Sequence, residues 1–388
     1  MAVHRGHRGL FLMNATAETE YGESGNTYSH WIRCTGEDPD PRPDVAIETD
    51  AGEQTGSEYP IHQEIIERSF SFQRSMNACS EVIALFGGFA WGRDAVTQPG
   101  GTDYLHAFTQ SPLDERLGSF RCEYHADGVT PDADSDYQFR GCNLNEFELS
   151  GSARGLVKAR ASIIGSRTQT AQATPTLSSL RTNRRRYPTN KVRISIAACT
   201  TENESIWDGT APLVSGTINA GKPTELTLIS GDPIALVPGI TSWRYRRMLN
   251  HDEETRFASG TSAGLTVVGV EPEIGDRRGD ELEVTLREDD IGKDLIKLLH
   301  SSSSINNVEY AVMISGVSDS VLTDGPEQFH ILMPICGVRA VPRSSGGLGI
   351  RSNTFTFFAK QDQSGDFYDP SYLWVVTDQS GVYNQAAA

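Results

Sequence analysis

The side chains in this sequence that could bind a metal through closely spaced carboxylates lie in one short acidic stretch. Asp132, Asp134 and Asp136 have the alternate spacing of a calcium-binding loop, in which carboxylate oxygens surround the ion. Such a loop also needs a glycine at its sixth position, which is missing, and a glutamate at its twelfth, which is Asn143. We therefore interpret the three aspartates as an ordinary acidic loop.

Histidines and cysteines are the other candidate ligands and nucleophiles. His4 and His7 lie in a basic terminus and are expected to be solvated, whereas His106 and His125 lie in strand-like segments without an obvious nucleophile. The cysteines show neither a Cys-x-x-Cys motif nor Cys/His pairing at zinc spacing: Cys34, Cys79, Cys122, Cys142, Cys199 and Cys336. We interpret most of them as small apolar core residues in a reducing compartment.

No nucleotide-binding or hydrolytic motif is present. The sequence lacks GxSxG, a Walker A loop, GxGxxG before a helix, and HExxH. Carboxylates are plentiful, and their pairing in space cannot be read from a sequence. Because nothing in the residues calls for a catalytic site, we predict a non-enzymatic protein without cofactor or metal.

Composition narrows the class of protein further. The chain has 388 residues, of which 37% are hydrophobic, and is long enough for two domains with their own cores. No window approaches the roughly 18 apolar residues of a membrane span, and the N-terminus is too mixed for a secretory signal. We therefore expect a protein with no membrane partner that is made and assembled in a cytoplasm.

The net charge of the chain argues against general, sequence-independent binding of nucleic acid. The formal net charge is −17 and the pI is about 5.0. Such a surface repels phosphate, so it suits a protein that lets DNA slide without sticking better than one that binds it.

The strongest local pattern is a β-hairpin within residues 137–165. Its first strand alternates, with Cys142, Leu144 and Glu146 on one face and Asn143, Asn145, Phe147 and Leu149 on the other. Residues 150–155 supply a Gly/Ser turn. The second strand then places its apolar residues on one side: Val157, Ala159, Ala161 and Ile163.

A strand followed by a short helix precedes this hairpin, and both patterns recur in the second half. Residues 78–88 have helical spacing and are expected to end at Gly87 and Gly88. In the second half, an alternating strand precedes a helical stripe, and the last hairpin spans residues 335–359. The stripe consists of Ile291, Leu295, Leu298 and Leu299.

This recurrence predicts an internal duplication. Cys142 aligns with Cys336, Leu144 with Val338, and Gly155-Leu156 with Gly347-Leu348. The predicted units are residues 1–168 with an acidic N-terminal arm, a polar linker at 169–190, and residues 191–388 with an extra segment near 200–269. The residues expected to matter for assembly are Gly141, Cys142, Gly151, Gly155, Leu156, Cys336, Gly346, Gly347 and Leu348. Two unrelated β-rich domains are the alternative.

Three stretches of the first half resemble the tail tube proteins of long-tailed, siphovirus-type bacteriophages and related archaeal tailed viruses. They are ETEYGE at 18–23, GGTDYLHAFTQSPLDERLGSFRCEYH at 100–125, and above all YQFRGCNLNEFELSGSARGLVKARASIIG at 137–165. The shared pattern is a Gly-Cys strand, a Gly-containing turn and an apolar strand that ends in glycine. The resemblance covers about the first 165 residues, with a weaker echo afterwards.

The resemblance implies a mainly β fold of two tandem β-sandwich domains, each with a short flanking α-helix. Subunits of this family form stacked rings around a DNA channel, with six domains in a ring. Two domains per chain would then imply three chains per ring. The implied partners are copies of itself, a tape measure protein, tail terminator and distal tail proteins, and genome DNA passing without specific binding. The implied location is the virion tail.

Two other functions stay open on the sequence. One is a distal tail or tube-capping protein of the same fold, which forms a single ring. The other is a carbohydrate-binding or hydrolytic β-sandwich of a virion, in which tryptophans form a sugar platform. The candidate tryptophans are Trp31, Trp91, Trp207, Trp243 and Trp374.

Overall fold

The structure is a computed structural model of the whole chain. It describes residues 9–23, 25–49, 63–98, 101–111, 117–126, 128, 130–132, 134–165, 167–182, 186–199, 204, 206–207, 209, 235–236, 240–251, 278–287, 309–323, 325–340, 352–361 and 369–384. Within these residues the fold is mainly β, as predicted, with nineteen connected strands and one α-helix.

The first half of the chain contributes eleven strands and the helix. They are β1 (Leu10–Met13), β2 (His30–Ile32), β3 (Asp44–Thr49), β4 (Gln63–Asn77), α1 (Ser80–Trp91), β5 (Gly92–Thr97), β6 (Tyr104–Gln110), β7 (Phe120–His125), β8 (Tyr137–Ser152), β9 (Lys158–Gly165), β10 (Arg167–Thr170) and β11 (Arg181–Thr182). Short 3-10 turns lie at Leu177–Ser179 and Thr189–Lys191.

The second half contributes eight strands. They are β12 (Val192–Ala198), β13 (Ala235–Leu236), β14 (Ile240–Met248), β15 (Gly279–Arg287), β16 (Tyr310–Val321), β17 (Pro326–Ala340), β18 (Ser352–Ala359) and β19 (Tyr372–Thr377). The predicted second helix, with its stripe from Ile291 to Leu299, lies outside the described residues, as does most of the segment near 200–269.

Helix α1 begins where the sequence indicates and ends later. The side chain of Cys79 caps the N-terminus by accepting a hydrogen bond from the amide of Val82. The helix continues through Gly87 and Gly88, and it ends at Gly92, which adopts a left-handed φ of 96°. The expected stop at the glycine pair is therefore wrong, because tertiary packing on both sides of the helix holds those glycines in it.

The predicted hairpin is confirmed as the antiparallel pair β8·β9. One feature differs: a bulge between Leu144 and Glu146 shifts the alternation of β8 by one residue. As a result Leu144, Phe147 and Leu149 all enter the core, where none is more than 2% exposed. A strictly alternating pattern had placed Leu144 opposite the other two.

Strand pairings in the two halves follow the same order. Seven antiparallel pairings of the first half have a counterpart in the second. They are β1·β2 and β12·β13, β1·β7 and β12·β16, β3·β4 and β14·β15, β4·β9 and β15·β18, β7·β8 and β16·β17, β8·β9 and β17·β18, and β8·β10 and β17·β19. The hairpin β5·β6 has no counterpart among the described residues.

Both long strands, β8 and β17, change partners at their predicted matching cysteine. Before Cys142, β8 pairs with β7 and β10, and after it β8 pairs with β9. Before Cys336, β17 pairs with β16 and β19, and from Cys336 onward it pairs with β18. Each cysteine is fully buried at this crossing point.

The N-terminal region is more integrated than an exposed arm. All four residues of β1 are buried, and β1 pairs with both β2 and β7. Residues 169–190, predicted as a linker, also pack on the body in their described part. Strand β11 pairs with β2, and Tyr187 is fully buried with its hydroxyl 2.5 Å from Ser80 Oγ.

Candidate functional site

The two hairpins belong to one continuous antiparallel sheet, which we call the hairpin sheet. Its strands lie in the order β4, β9, β8, β14, β15, β18 and β17. The junction between the halves is β8·β14, which extends from Glu146 opposite Met248 to Ser152 opposite Ser242. The sequence indicated the hairpins and a strand at WRYRRM, but not the pairing of that strand with β8 that joins the hairpins.

One face of the hairpin sheet is apolar and packs inward. Phe147 and Leu149 of β8 and Ala159 and Ala161 of β9 are fully buried in the main core. Phe147 stacks on Phe86 of α1, with ring centroids 5.9 Å apart. The helix therefore covers this face, as expected for an antiparallel sheet with one face packed on the core and the other exposed to solvent.

The opposite face carries charged residues in columns of alternating sign. Its basic residues are Lys158 and Arg160 on β9 and Arg244 and Arg246 on β14. Its acidic residues are Glu146 and Glu148 on β8 and Glu281 and Glu283 on β15. Arg339 of β17 lies on the same face, so its described side chains carry five positive and four negative charges, a net charge of +1, although the whole chain carries −17.

Neighbouring columns are paired across the strands. Arg244 Nη2 lies 2.8 Å from Glu283 Oε2, and Arg246 Nη2 lies 2.8 Å from Glu281 Oε2. Glu148 stands opposite Arg160 on one side and Arg246 on the other. Burial raises the pKa of Glu148, against the charge of Arg244. Because oppositely charged cross-strand neighbours support each other, the face holds its charges internally.

Three predicted site residues of the first hairpin have structural roles. Gly141 adopts a left-handed φ of 62°, and a Cβ there would lie 2.6 Å from the ring of Tyr21. Gly151 lies inside β8, where a Cβ would meet Trp243 Nε1 at 2.6 Å. The thiol of Cys142 is buried, with Sγ 3.6 Å from Cys122 Sγ, and burial raises its pKa well above the ordinary value.

Gly155 and Leu156 differ from these three because they lie in the exposed turn of the hairpin. The φ of Gly155 is not left-handed. A Cβ at this position would lie 3.1 Å from Ser152 Oγ and would have no closer neighbour. Leu156 is one of the two exposed large hydrophobic residues among those described, with 36% of its surface accessible. Nothing inside the described chain therefore requires these two residue types.

In the second hairpin, Cys336 is fully buried and burial raises its pKa. Gly346, Gly347 and Leu348 lie outside the described residues. A glycine that the sequence did not single out, Gly337, is required by packing, because a Cβ there would lie 2.2 Å from the ring of Phe358.

A buried ion pair that the sequence did not predict lies beneath the junction of the halves. Arg247 Nη1 lies 2.8 Å from Asp280 Oδ2, and both side chains are at most 1% exposed. Arg247 also donates to Ala90 O and Gln110 Oε1, and its guanidinium lies 4.3 Å from the ring centroid of Trp91. The only signal was an arginine at an apolar phase of β14, inside the motif WRYRRM.

The other histidines and aspartates that the sequence singled out in strand-like or acidic segments make internal contacts. His106 Nδ1 lies 2.8 Å from Asp94, and His125 Nε2 lies 2.8 Å from Glu123. Asp136 is 1% exposed and accepts hydrogen bonds from the backbone amides of Ala126 and Asp132. The aspartate stretch is thus a closed turn in its described part.

Four of the five tryptophans are buried and therefore offer no exposed aromatic face on which a sugar could stack. Trp91, Trp207, Trp243 and Trp374 are at most 5% exposed. Trp31 is half-buried and lies beneath the guanidinium of Arg33, 4.9 Å from its ring centroid.

The described residues offer no evident metal-binding cluster. In the part of the chain that the structure describes, no group of three or more His, Cys, Asp or Glu side chains is arranged to hold a metal ion. Among the described residues, no helix combines the length and the apolar character needed to span a bilayer. No protein-family model and no curated protein matches the chain.

Proposed function

We propose that this chain is a self-assembling structural protein of the tail tube type, built from two tandem β-sandwich repeats. The observation that carries the proposal is the shared order of the seven strand pairings in the two halves. Two unrelated β-rich domains would have no reason to repeat this order and to change partners at equivalent cysteines. The hairpin sheet would then be the element through which copies join.

The junction within the chain supplies a pattern for the junction between chains. Strand β8 pairs beyond Cys142 with β14 of the other half. The equivalent strands are β17 and β3, and among the described residues their outer edges have no strand partner. Open edges are a hazard that β proteins cover. Pairing β17 of one copy with β3 of the next would extend the sheet around a closed ring.

The polar face of the hairpin sheet is the favoured channel wall in such a ring. Its apolar face is already covered by α1 and the core. The described charges of this face nearly balance, at +1, so this wall would be close to neutral and not acidic as the composition suggested. Because Arg244 and Arg246 are paired with glutamates of the same wall, fewer cations are available to phosphate, which suits DNA that must pass without being held.

Electron microscopy of the purified full-length chain tests this proposal. We expect stacked rings that form tubes, with three chains and six repeats in each ring. Isolated rings would favour the distal tail or tube-capping alternative. Monomers at all concentrations, or six chains per ring, would contradict the tube proposal or the duplication respectively.

Cross-linking tests the edge pairing separately. A cysteine replacing Arg339 on β17 and a second replacing Asp44, Val45 or Ala46 on β3 should form a disulfide between copies. The matched control combines the β3 cysteine with a cysteine replacing Thr97, which is exposed on β5. Assembly without any β17-to-β3 disulfide would reject this joint but leave the tube proposal standing.

A glycan-binding role is the competing function from another class. The burial of four tryptophans weighs against it, since a sugar platform needs exposed aromatic faces. Binding on a glycan array by a chain that forms no rings would support this role over the structural one.

A further inference from the structure

Three arginines gather on one face of the strands β7, β8 and β10. Arg140 of β8 stands directly opposite Arg167 of β10 in the antiparallel register. Arg121 of the neighbouring strand β7 is 9% exposed, and its charge acts on Arg140. Like charges directly opposite each other on a sheet are destabilising, so this arrangement needs a compensating group.

The carboxylates near the arginines accept their hydrogen bonds from other groups, although the charge of Glu18 still acts on Arg140 and Arg121. Glu18 accepts hydrogen bonds from the amides of Gly22 and Gly141 and from Ser119 Oγ. Burial raises its pKa, which weakens it further as a counter-ion. Glu23 uses Oε2 to accept from the amide of Thr19.

Glu123, the other acidic residue on this face, is saturated by five donors. They are Tyr28 Oη, His125 Nε2, Gln138 Nε2 and the amides of Gln172 and Ala173. No oxygen of these carboxylates therefore lies in a hydrogen bond to Arg140 or Arg167 among the described residues.

The guanidinium groups themselves are under-satisfied. The Nε atoms of Arg121, Arg140 and Arg167 are all buried without an acceptor. Arg121 donates to the carbonyls of Glu23 and Thr27, and Arg167 has one long contact of 3.5 Å to Gly22 O. Burial, followed by the charge of Arg167, lowers the pKa of Arg140. Arg140 and Arg167 are both half-buried, so part of each side chain is open to solvent.

We propose that Arg140 and Arg167, with Arg121 behind them, bind a small oxyanion: phosphate, sulfate or a carboxylate group. The planar guanidinium fork matches such oxygens in pairs, and an oxyanion would neutralise the two facing charges and satisfy the buried nitrogens. A cationic cluster of this kind is unusual in a chain of net charge −17. The site does not depend on the proposed tube function.

Thermal unfolding of the full-length chain tests the site. Sodium sulfate or sodium phosphate is titrated while sodium chloride keeps the ionic strength constant. We expect the midpoint to rise by a few degrees with either oxyanion, because a ligand of the native state stabilises it. A parallel titration with acetate separates the two chemistries: a response to acetate alone assigns the site to carboxylates. A wild-type midpoint that responds no more to any of these anions than to chloride would overturn the proposal.

Matched variants locate the effect. Arg140→Gln and Arg167→Gln should abolish the anion-dependent rise, whereas Arg154→Gln, in the exposed turn, should keep it. In sodium chloride without sulfate, phosphate or acetate, Arg140→Gln should be at least as stable as the wild type, because the substitution removes a like-charge contact. A variant that is less stable in every buffer and still responds to sulfate would mean that Arg140 is structural. Isothermal titration calorimetry with sulfate gives a readout independent of stability.

Discussion

Replacement of one buried charged residue is expected to lower the free energy of unfolding of this protein strongly. Arg247 and Asp280 connect the end of α1, the end of β6 and the strands β14 and β15. A buried pair of this kind contributes little net stability compared with an apolar pair, but removal of one partner leaves a buried charge alone. Sequence patterns cannot show such a pair, because the partners are 33 residues apart and each looks like an ordinary charged residue.

Asp280→Ala is therefore expected to lower the free energy of unfolding by about 3–5 kcal/mol. The control is Glu283→Ala on the same strand. Glu283 pairs with Arg244 on the half-exposed face, so its loss should cost less than about 1 kcal/mol. Urea unfolding followed by circular dichroism measures both. Equal losses in the two variants would contradict the distinction between buried and exposed pairs.

His330 predicts a pH dependence of folding. Burial lowers its pKa from 6.5 to about 3, while Nδ1 lies 2.8 Å from Ser315 Oγ and Nε2 lies 3.2 Å from Gln328 Oε1. The unfolded chain takes up this proton below about pH 6.5 and the folded chain does not, so stability falls as the pH drops from about 6.5 towards 3. The slope approaches roughly 1.4 kcal/mol per pH unit in this window.

Urea unfolding at pH 7 and pH 5 measures this slope, and His330→Gln should flatten it. An unchanged slope between pH 7 and pH 5 in the His330 variant would refute the assignment.

Glu81 contributes to stability over a lower pH range. Burial alone would raise the pKa of Glu81, but the hydrogen bond from His30 and the charge of Arg181 bring it from 4.5 to about 2. The stability that Glu81 contributes is lost only below about pH 4.5.

At the scale of elements, strands with strong alternation were predictable from the sequence and strands shaped by tertiary contacts were not. The hairpin β8·β9 and helix α1 follow from periodicity and turn residues. The bulge after Leu144 and the junction β8·β14 do not, because both depend on partners far along the chain. The buried strand β1 is only four residues long, too short for any period to stand out.

Two glycines of one hairpin should respond differently to the same substitution. Gly151→Val should destabilise the monomer by roughly 1–3 kcal/mol, because the new side chain would overlap Trp243. Gly155→Val should leave the monomer folded, since its turn is exposed, and should block ring or tube assembly. Circular dichroism and electron microscopy of both variants check this. An unfolded Gly155→Val monomer would count against an assembly role for the turn.

At the scale of the whole molecule, the two halves are interlocked. Strand β6 of the first half pairs with β19 of the second, and β8 pairs with β14. The amide side chain of Asn384 donates to the carbonyls of Gly88 and Leu117, and Tyr383 Oη lies 2.9 Å from Glu81. The second half therefore covers the helix of the first. The proposed boundary near residue 190 would therefore divide the chain without separating two independent cores.

Residues 1–190 expressed alone should consequently fail to fold. Without the second half, α1 and the edges of β6 and β8 would lose their partners. Coexpression with residues 191–388 should restore a soluble complex, because the two pieces bury the same surfaces as the intact chain. Amide hydrogen exchange on the fragment and on the complex measures this. Native-like protection of α1 in the isolated fragment would contradict the interlock.

The docking of Asn384 on α1 also sets an order of events during synthesis. Helix α1 ends at Trp91, and the residue that seals it follows 293 positions later. At usual translation rates the ribosome needs about 15–60 s to cover that distance. Throughout this interval the nascent helix exposes an apolar side that the segment around Asn384 covers in the folded chain. Chaperone occupancy of the growing chain should therefore last until residue 384 has been made and has left the ribosome.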